Sequence, residues 1–217
     1  MKRILEPEAM DTAEEADGYD RMDHMQANES FVGRLLELGA QGRMLDLGTG
    51  PAHIPILICG QRPEARIVAI DLAHHMLRIA AVNVERSGYG ERIELRYGDA
   101  KDLDLEGRSF DVVYSNTILH HIPDPRPFLA EAARLVKPGG VLLIRDLFRP
   151  RDRAQLEALV RLHAEGADEY QRALFGASLN AAFTPDELRA LADESGLARA
   201  ELVVDTDRHM SLQLRAS

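Results

Sequence analysis

The sequence predicts an α/β fold in which one seven-stranded, mostly parallel sheet carries helices on both faces and ends in an antiparallel hairpin. Three observations predict it. From residue 43 short apolar runs alternate with amphipathic stretches, the pattern of buried parallel strands joined by crossover helices. After Pro150 the apolar period becomes purely helical, and the last two short alternating runs flank Thr206 and Asp207 as the arms of a hairpin would.

The elements follow in order. Residues 1–42 form a leader expected to be a helical lid, with Met10, Tyr19, Met22 and Met25 spaced along it. The core, residues 43–150, opens with a strand in RMLDLG, a helix from about Pro51 to Cys59 and a strand in RIVAID that ends at Asp71. A helix from Ala73 to Ser87 is closed by Gly88, because glycine adopts the left-handed conformation that ends helices. RIELRY is the third strand, and FDVVYS, Phe110 to Ser115, the fourth. DPRPFLAEAARLV is a helix expected to stop at a KPGG turn, Lys137 to Gly140, before a fifth strand in VLLIRDL. QLEALVRLH and YQRALFGASLNAAF make an inserted helical pair within residues 151–183. In the final segment, 184–217, Thr184, Pro185 and Glu187 form a capping box with proline at the first helical position. Gly196 ends that helix, and AELVVD and HMSLQL are the hairpin arms.

With 217 residues, 45% of them hydrophobic, the chain fills one domain rather than two. No stretch approaches the roughly 18 apolar residues of a membrane span, and the N-terminus lacks the apolar centre of a signal peptide, so a cytoplasmic protein is expected. Cys59 is the single cysteine, which argues against disulfides and cysteine metal sites. The net charge of −10 opposes phosphate backbones, so no nucleic-acid partner is expected, and with no apolar span no membrane partner is expected either; a homodimer is a possible assembly. Nine acids against three bases in residues 1–30 place −6 of that charge in the leader, as a solvated face or as a lid that repels anions.

The most informative segment is Asp46-Leu47-Gly48-Thr49-Gly50-Pro51-Ala52-His53, where the first strand turns into the first helix. Glycines there let a ligand approach the backbone closely, but His53 stands where a dinucleotide site needs a third glycine for its pyrophosphate. Asp46 instead favours a cationic or zwitterionic ligand. Asp71, 21 residues after Gly50, ends the second strand, where a carboxylate accepts from both hydroxyls of a ribose that carries no 2′-phosphate. Gly98-Asp99-Ala100 follows the third strand, where an adenine edge would lie.

D-x-G-x-G, the acid after strand two, G-D-A after strand three, FDVVYSNTILHHIPDP at strand four and LVKPGGVLLIRD at strand five come in order over residues 43–147. Together they resemble the class I S-adenosylmethionine-dependent methyltransferases, which implies a Rossmann-like sheet, S-adenosyl-L-methionine as cofactor and methyl transfer to a small-molecule nucleophile. The resemblance puts Asp46, Gly48 and Gly50 around the methionine part, Asp71 and Leu72 at the ribose, Asp99 and Ala100 at the adenine, Ser115 in the floor and Met76 among the cofactor contacts. Tyr19 is the chosen lid contact. Ala52 departs from the commoner D-x-G-x-G-x-G, and His53 is unusual. The same fold also permits aminocarboxypropyl transfer, cofactor cyclisation or a noncatalytic binding protein.

A sulfonium methyl is already activated, so alignment and exclusion of water matter more than acid–base help. If a proton must leave, His120 or His121 is the candidate base; the alternative is a structural turn in which one imidazole binds backbone and the other packs. Asn116 either orients substrate or caps the loop. Arg145 and Arg149, near the end of strand five, either hold a substrate carboxylate or serve structure, and Arg208 and His209 are read as structural. His74 and His75 are adjacent on a helix and diverge, so no metal is expected there or elsewhere.

Overall fold

The structure, a computed structural model, describes residues 1–6, 11, 12, 16, 18, 20 and 25–215. Seven α-helices and seven strands are seen among them. In chain order they are α1 (Met25–Glu37), β1 (Arg43–Leu47), α2 (His53–Gln61), β2 (Arg66–Asp71), α3 (His74–Ser87), β3 (Ile93–Tyr97), β4 (Phe110–Asn116), α4 (Arg126–Leu135), β5 (Val136–Leu147), α5 (Arg153–His163), α6 (Glu169–Ala181), α7 (Pro185–Glu194), β6 (Glu201–Val204) and β7 (His209–Leu214). A 3₁₀ turn, Leu119–His121, lies between β4 and α4.

The sheet order is β3-β2-β1-β4-β5-β7-β6. Pairs among β1 to β5 are parallel, and β7 is antiparallel to both β5 and β6. The chain therefore winds outward from β1 to β3 and returns to the other side of β1 at β4. That reversal opens a crevice beyond the carboxyl ends of β1 and β4, where ligands of doubly wound sheets bind.

Strand alternation divides the core between two faces. Leu45, Leu47, Val68, Ile70, Val113, Leu142 and Ile144 pack with Phe128, Leu129 and Leu135 of α4 and Leu188 and Ala192 of α7. Their neighbours Met44, Ile67, Ala69, Val112, Tyr114, Val141 and Leu143 pack with Phe31, Val32 and Leu35 of α1, Ile58 of α2, and Ala80 and Val84 of α3. Strands buried on both faces read as unbroken apolar runs, which is why they were visible in the sequence. The inserted pair closes on its own small core, Leu159 and Leu179 against Leu147 of β5. Both faces of the capping box are present: Thr184 accepts from the Glu187 amide, and Glu187 accepts from the Thr184 amide.

Two local expectations are corrected. The first helix of the core begins at His53, because Ala52 occupies the left-handed region at φ 63° and acts as its N-cap. The KPGG segment is an irregularity inside β5: Phe110 pairs with Val136, and pairing resumes at Val112 with Val141. Gly140 is required there, since a Cβ would stand 2.7 Å from the Asp111 carbonyl oxygen. Sheet pairing has overridden a local turn signal.

Candidate active site

The crevice at the switch point is a cleft with about 1100 Å³ of space, part of it open to solvent. Its walls come from the ends of β1, β2, β3 and β4 and the loops that follow them. Of the residues expected to hold a cofactor, Asp46, Gly48, Gly50, Asp71, Leu72, Met76, Asp99 and Ala100 all line it.

Asp46 lies at the base of the cleft, 2% exposed, and burial pushes its carboxyl up to about 8, with only partial relief from the nearby Thr49 hydroxyl. Thr49 Oγ1 is itself buried without a hydrogen bond of sound geometry. Gly48, at φ 78°, passes so close to the β4 loop that a Cβ would stand 2.6 Å from Ile118. Gly50, at φ 54°, has no atom within 4 Å of where a Cβ would be, so glycine there keeps space open.

Asp71 fixes the loop it faces. Its Oδ2 accepts from the Gly50 amide at 2.7 Å and its Oδ1 from the Ala73 amide at 2.8 Å. Burial raises its pKa, and those amides oppose the rise. Each oxygen retains accepting capacity for a further donor. Asp99 accepts from the Lys101 amide at 2.9 Å and lies 3.1 Å from Lys101 Nζ.

Asn28, which carried no sequence signal, enters the wall from α1, and Thr117, Ile118 and Ile122 of the strand-four motif enter it from the β4 loop. Thr117 holds φ 58°, a costly conformation for a β-branched residue, and its amide donates to the Arg145 carbonyl at 2.8 Å. His53 also lines the cleft and lies 3.0 Å from Asp20 of the leader. Tyr19, with Met10 and Met22, lies outside the described residues.

At the end of β4 and in the turn after it, Asn116 and His121 line the cleft, and His120 does not. His120 is buried, with Nδ1 2.6 Å from Asp146 Oδ1 and its amide donating to Asp146 Oδ2 at 3.0 Å. Burial alone would lower the His120 pKa, but the charges of Asp146 and Glu6 hold it above the ordinary value. Asp146 in turn stays below its ordinary value despite burial, because His120 stabilises the carboxylate. Glu6, which no sequence pattern marked, approaches both imidazoles, 3.8 Å from His120 Nε2 and 3.4 Å from His121 Nδ1.

Three of the candidate positions do not line the cleft, and for the two arginines this is the structural alternative. Ser115 does not line the floor but lies beneath it, 1% exposed, with its hydroxyl donating to the Leu47 carbonyl at 2.7 Å and tying β4 to β1. Neither arginine lines the cleft. Arg149 is buried and donates to the Ala182 carbonyl and to Glu187 Oε1. Arg145 is buried with Nε 3.9 Å from Asp205 Oδ2 in the hairpin loop.

The comparisons with known proteins agree with this geometry. The family profile described as a methyltransferase domain matches residues 38–196. The chain belongs to the class I S-adenosylmethionine-dependent methyltransferase family. Among curated members, 27-O-demethylrifamycin SV methyltransferase of Amycolatopsis mediterranei is 30% identical over 75% of this chain and 56% of its own length. The ubiquinone biosynthesis O-methyltransferase of Dinoroseobacter shibae is 30% identical over 71% of this chain and 59% of its own. This methyltransferase-family chain thus spans somewhat over half the length of those two relatives. By fold, it matches a Methanococcus maripaludis protein assigned to the S-adenosyl-L-methionine-dependent methyltransferases, with TM-score 0.72, 18% identity and coverage of 100% and 97% of the two chains. It also matches Haemonchus contortus phosphoethanolamine N-methyltransferase 2 in complex with S-adenosyl-L-methionine, with TM-score 0.65 and 21% identity over 84% of this chain and 39% of that one.

Proposed function

We propose that this chain binds S-adenosylmethionine in the switch-point cleft and transfers its methyl group to a hydroxyl of a small molecule. The observation that carries the reading is the pairing of a buried Asp46 with Asp71 across a glycine turn that leaves the cleft open. The residues fit such a ligand. Asp46 at the base, buried with no cation beside it among the described residues, suits an ammonium group, and Asp71 has accepting capacity for ribose hydroxyls. Asp99, with Ala100 and Leu72 alongside, suits the adenine.

When bound, the cofactor supplies a methyl group already activated by a positive sulfur. The chain's residues then align and enclose. Asp46 and Asp71 fix the ligand's polar ends, and Met76 and Ile54 give the cleft apolar wall that excludes water. Asn116, Thr117 and His121 form the wall against which an acceptor would lie. A hydroxyl acceptor is favoured by the O-methyltransferases among the relatives.

Calorimetric titration with S-adenosylmethionine, S-adenosylhomocysteine and NAD tests the reading, repeated on Asp71→Ala. Binding of the first two, lost in the variant, is the expected result; binding of NAD alone, or of none, sinks it. Product analysis then separates the chemistries, since S-adenosylhomocysteine reports methyl transfer and methylthioadenosine reports loss of the other arm.

A further inference from the structure

Glu6, His120 and His121 are the cluster that the proposed reaction leaves unexplained. Their ligating atoms lie within 4.8 Å of one another, the one such group of three among the described residues. We propose that this cluster is a binding site for a divalent transition-metal ion, such as Zn²⁺, on the acceptor side of the cleft.

Two imidazoles and one carboxylate are a recognised donor set for such ions, leaving positions open for water or a substrate oxygen. The Glu6 to His121 and Glu6 to His120 separations of 3.4 and 3.8 Å are close to the roughly 3.3 Å edge of a tetrahedron of ligands at about 2.0–2.1 Å. Small side-chain movements complete the set. The two histidines are adjacent in sequence, yet the 3₁₀ turn brings their rings to 4.1 Å between centroids with a 37° tilt, so both can serve one ion.

The surroundings are those of a built site. Asp146 engages Nδ1 of His120, which leaves Nε2 as the ligating nitrogen and fixes the ring. Ser178 Oγ stands 3.2 and 3.3 Å from the two Glu6 oxygens and 3.2 Å from the Leu174 carbonyl, so its single proton is shared between that carboxylate and the helix backbone. Arg3 is the opposing charge nearby, and its guanidinium is occupied by the carbonyls of His120, Ile122, Pro123 and Ala181. Because His121 also lines the cleft, an acceptor hydroxyl can occupy an open coordination position and lose its proton to solvent. This last role rests on the proposed methyl transfer; ion binding itself does not.

The experiment is calorimetric titration of the full, chelator-stripped chain with ZnCl₂ in the absence of cofactor, with the visible spectrum of the Co²⁺ form as a second readout. One ion per chain is expected, with affinity falling at least tenfold in Glu6→Gln and the Co²⁺ bands altered, while His163→Ala leaves both unchanged. Glu6→Gln preserves shape, and its far-ultraviolet spectrum verifies folding. No binding tighter than about 100 μM, or binding indifferent to Glu6→Gln, overturns the proposal. S-adenosylmethionine titrated into the same sample reports separately on the cofactor reading.

Discussion

At the scale of single residues, the cleft combines groups held away from their ordinary chemistry. Asp46, raised to about 8 by burial, is mostly protonated at neutral pH, and a cationic ligand group beside it favours the carboxylate. The sign follows: binding expels the Asp46 proton, so affinity for S-adenosylhomocysteine should weaken as pH falls below 8. The expected loss is about fivefold from pH 8 to pH 7 and about tenfold more to pH 6, with the Asp46 part of that slope absent in Asp46→Asn. Calorimetry in buffers of differing ionisation enthalpy counts the proton, and parallel slopes for the two proteins would refute the assignment. Ala52 poses a contest of magnitudes. Its left-handed backbone at φ 63° costs roughly 1–2 kcal/mol, whereas its buried methyl contributes about 0.8 kcal/mol. Ala52→Gly should therefore hold or gain up to about 1 kcal/mol, while the β-branched Ala52→Val should lose more than about 2 kcal/mol. Urea midpoints decide it; a glycine variant clearly below the parent would mean that methyl packing outweighs the backbone strain.

At the scale of elements, the first six residues act as a strap. Arg3 donates to carbonyls on both the β4 loop and α6, stacks 3.7 Å over Phe183, and the Ile4 amide donates to the Asn180 carbonyl. Arg3→Ala removes charged hydrogen bonds and packing together and should cost about 1–3 kcal/mol, read as a lower urea midpoint at unchanged slope. A change below about 0.3 kcal/mol would show that the strap contributes nothing to stability. This contact was illegible in the sequence, because it joins chain segments far apart and Arg3 sits in no periodic pattern. Glu6 was hidden for the same reason, counted only as one acid in a charged leader. By contrast, β1, β2 and β4 were plain, since both their faces are buried, and the acids at their ends mark the switch point. Arg149 shows the limit from the other side: nothing local distinguishes an arginine at a substrate mouth from one folded against Ala182 and Glu187. The KPGG segment failed because its turn chemistry competes with pairing to β4, which only the assembled sheet supplies.

At the scale of the whole molecule, the cleft is where separate layers meet: α1 contributes Asn28, the parallel strands contribute the acids, and the β4 loop contributes Thr117, Ile118 and His121. Among the described residues no helix is long and apolar enough to cross a membrane. A ligand that bridges these layers binds only the folded chain, and its binding energy becomes stability of the whole. At a hundred times its Kd such a ligand adds about 2.7 kcal/mol. For a chain of 217 residues each kcal/mol moves Tm by about 2–4 °C, so S-adenosylhomocysteine at that excess should raise Tm by roughly 5–11 °C. Asp71→Ala should abolish the shift, because it removes the proposed ligand contact and also the carboxylate that holds the Gly50 and Ala73 amides. The magnitude separates two architectures. A full shift in one cooperative transition means that the leader, sheet and inserted helices unfold as a unit coupled through the cleft. A biphasic melt in which only the later transition moves would instead mean that α5 and α6, packed on their own small core, unfold independently of the site.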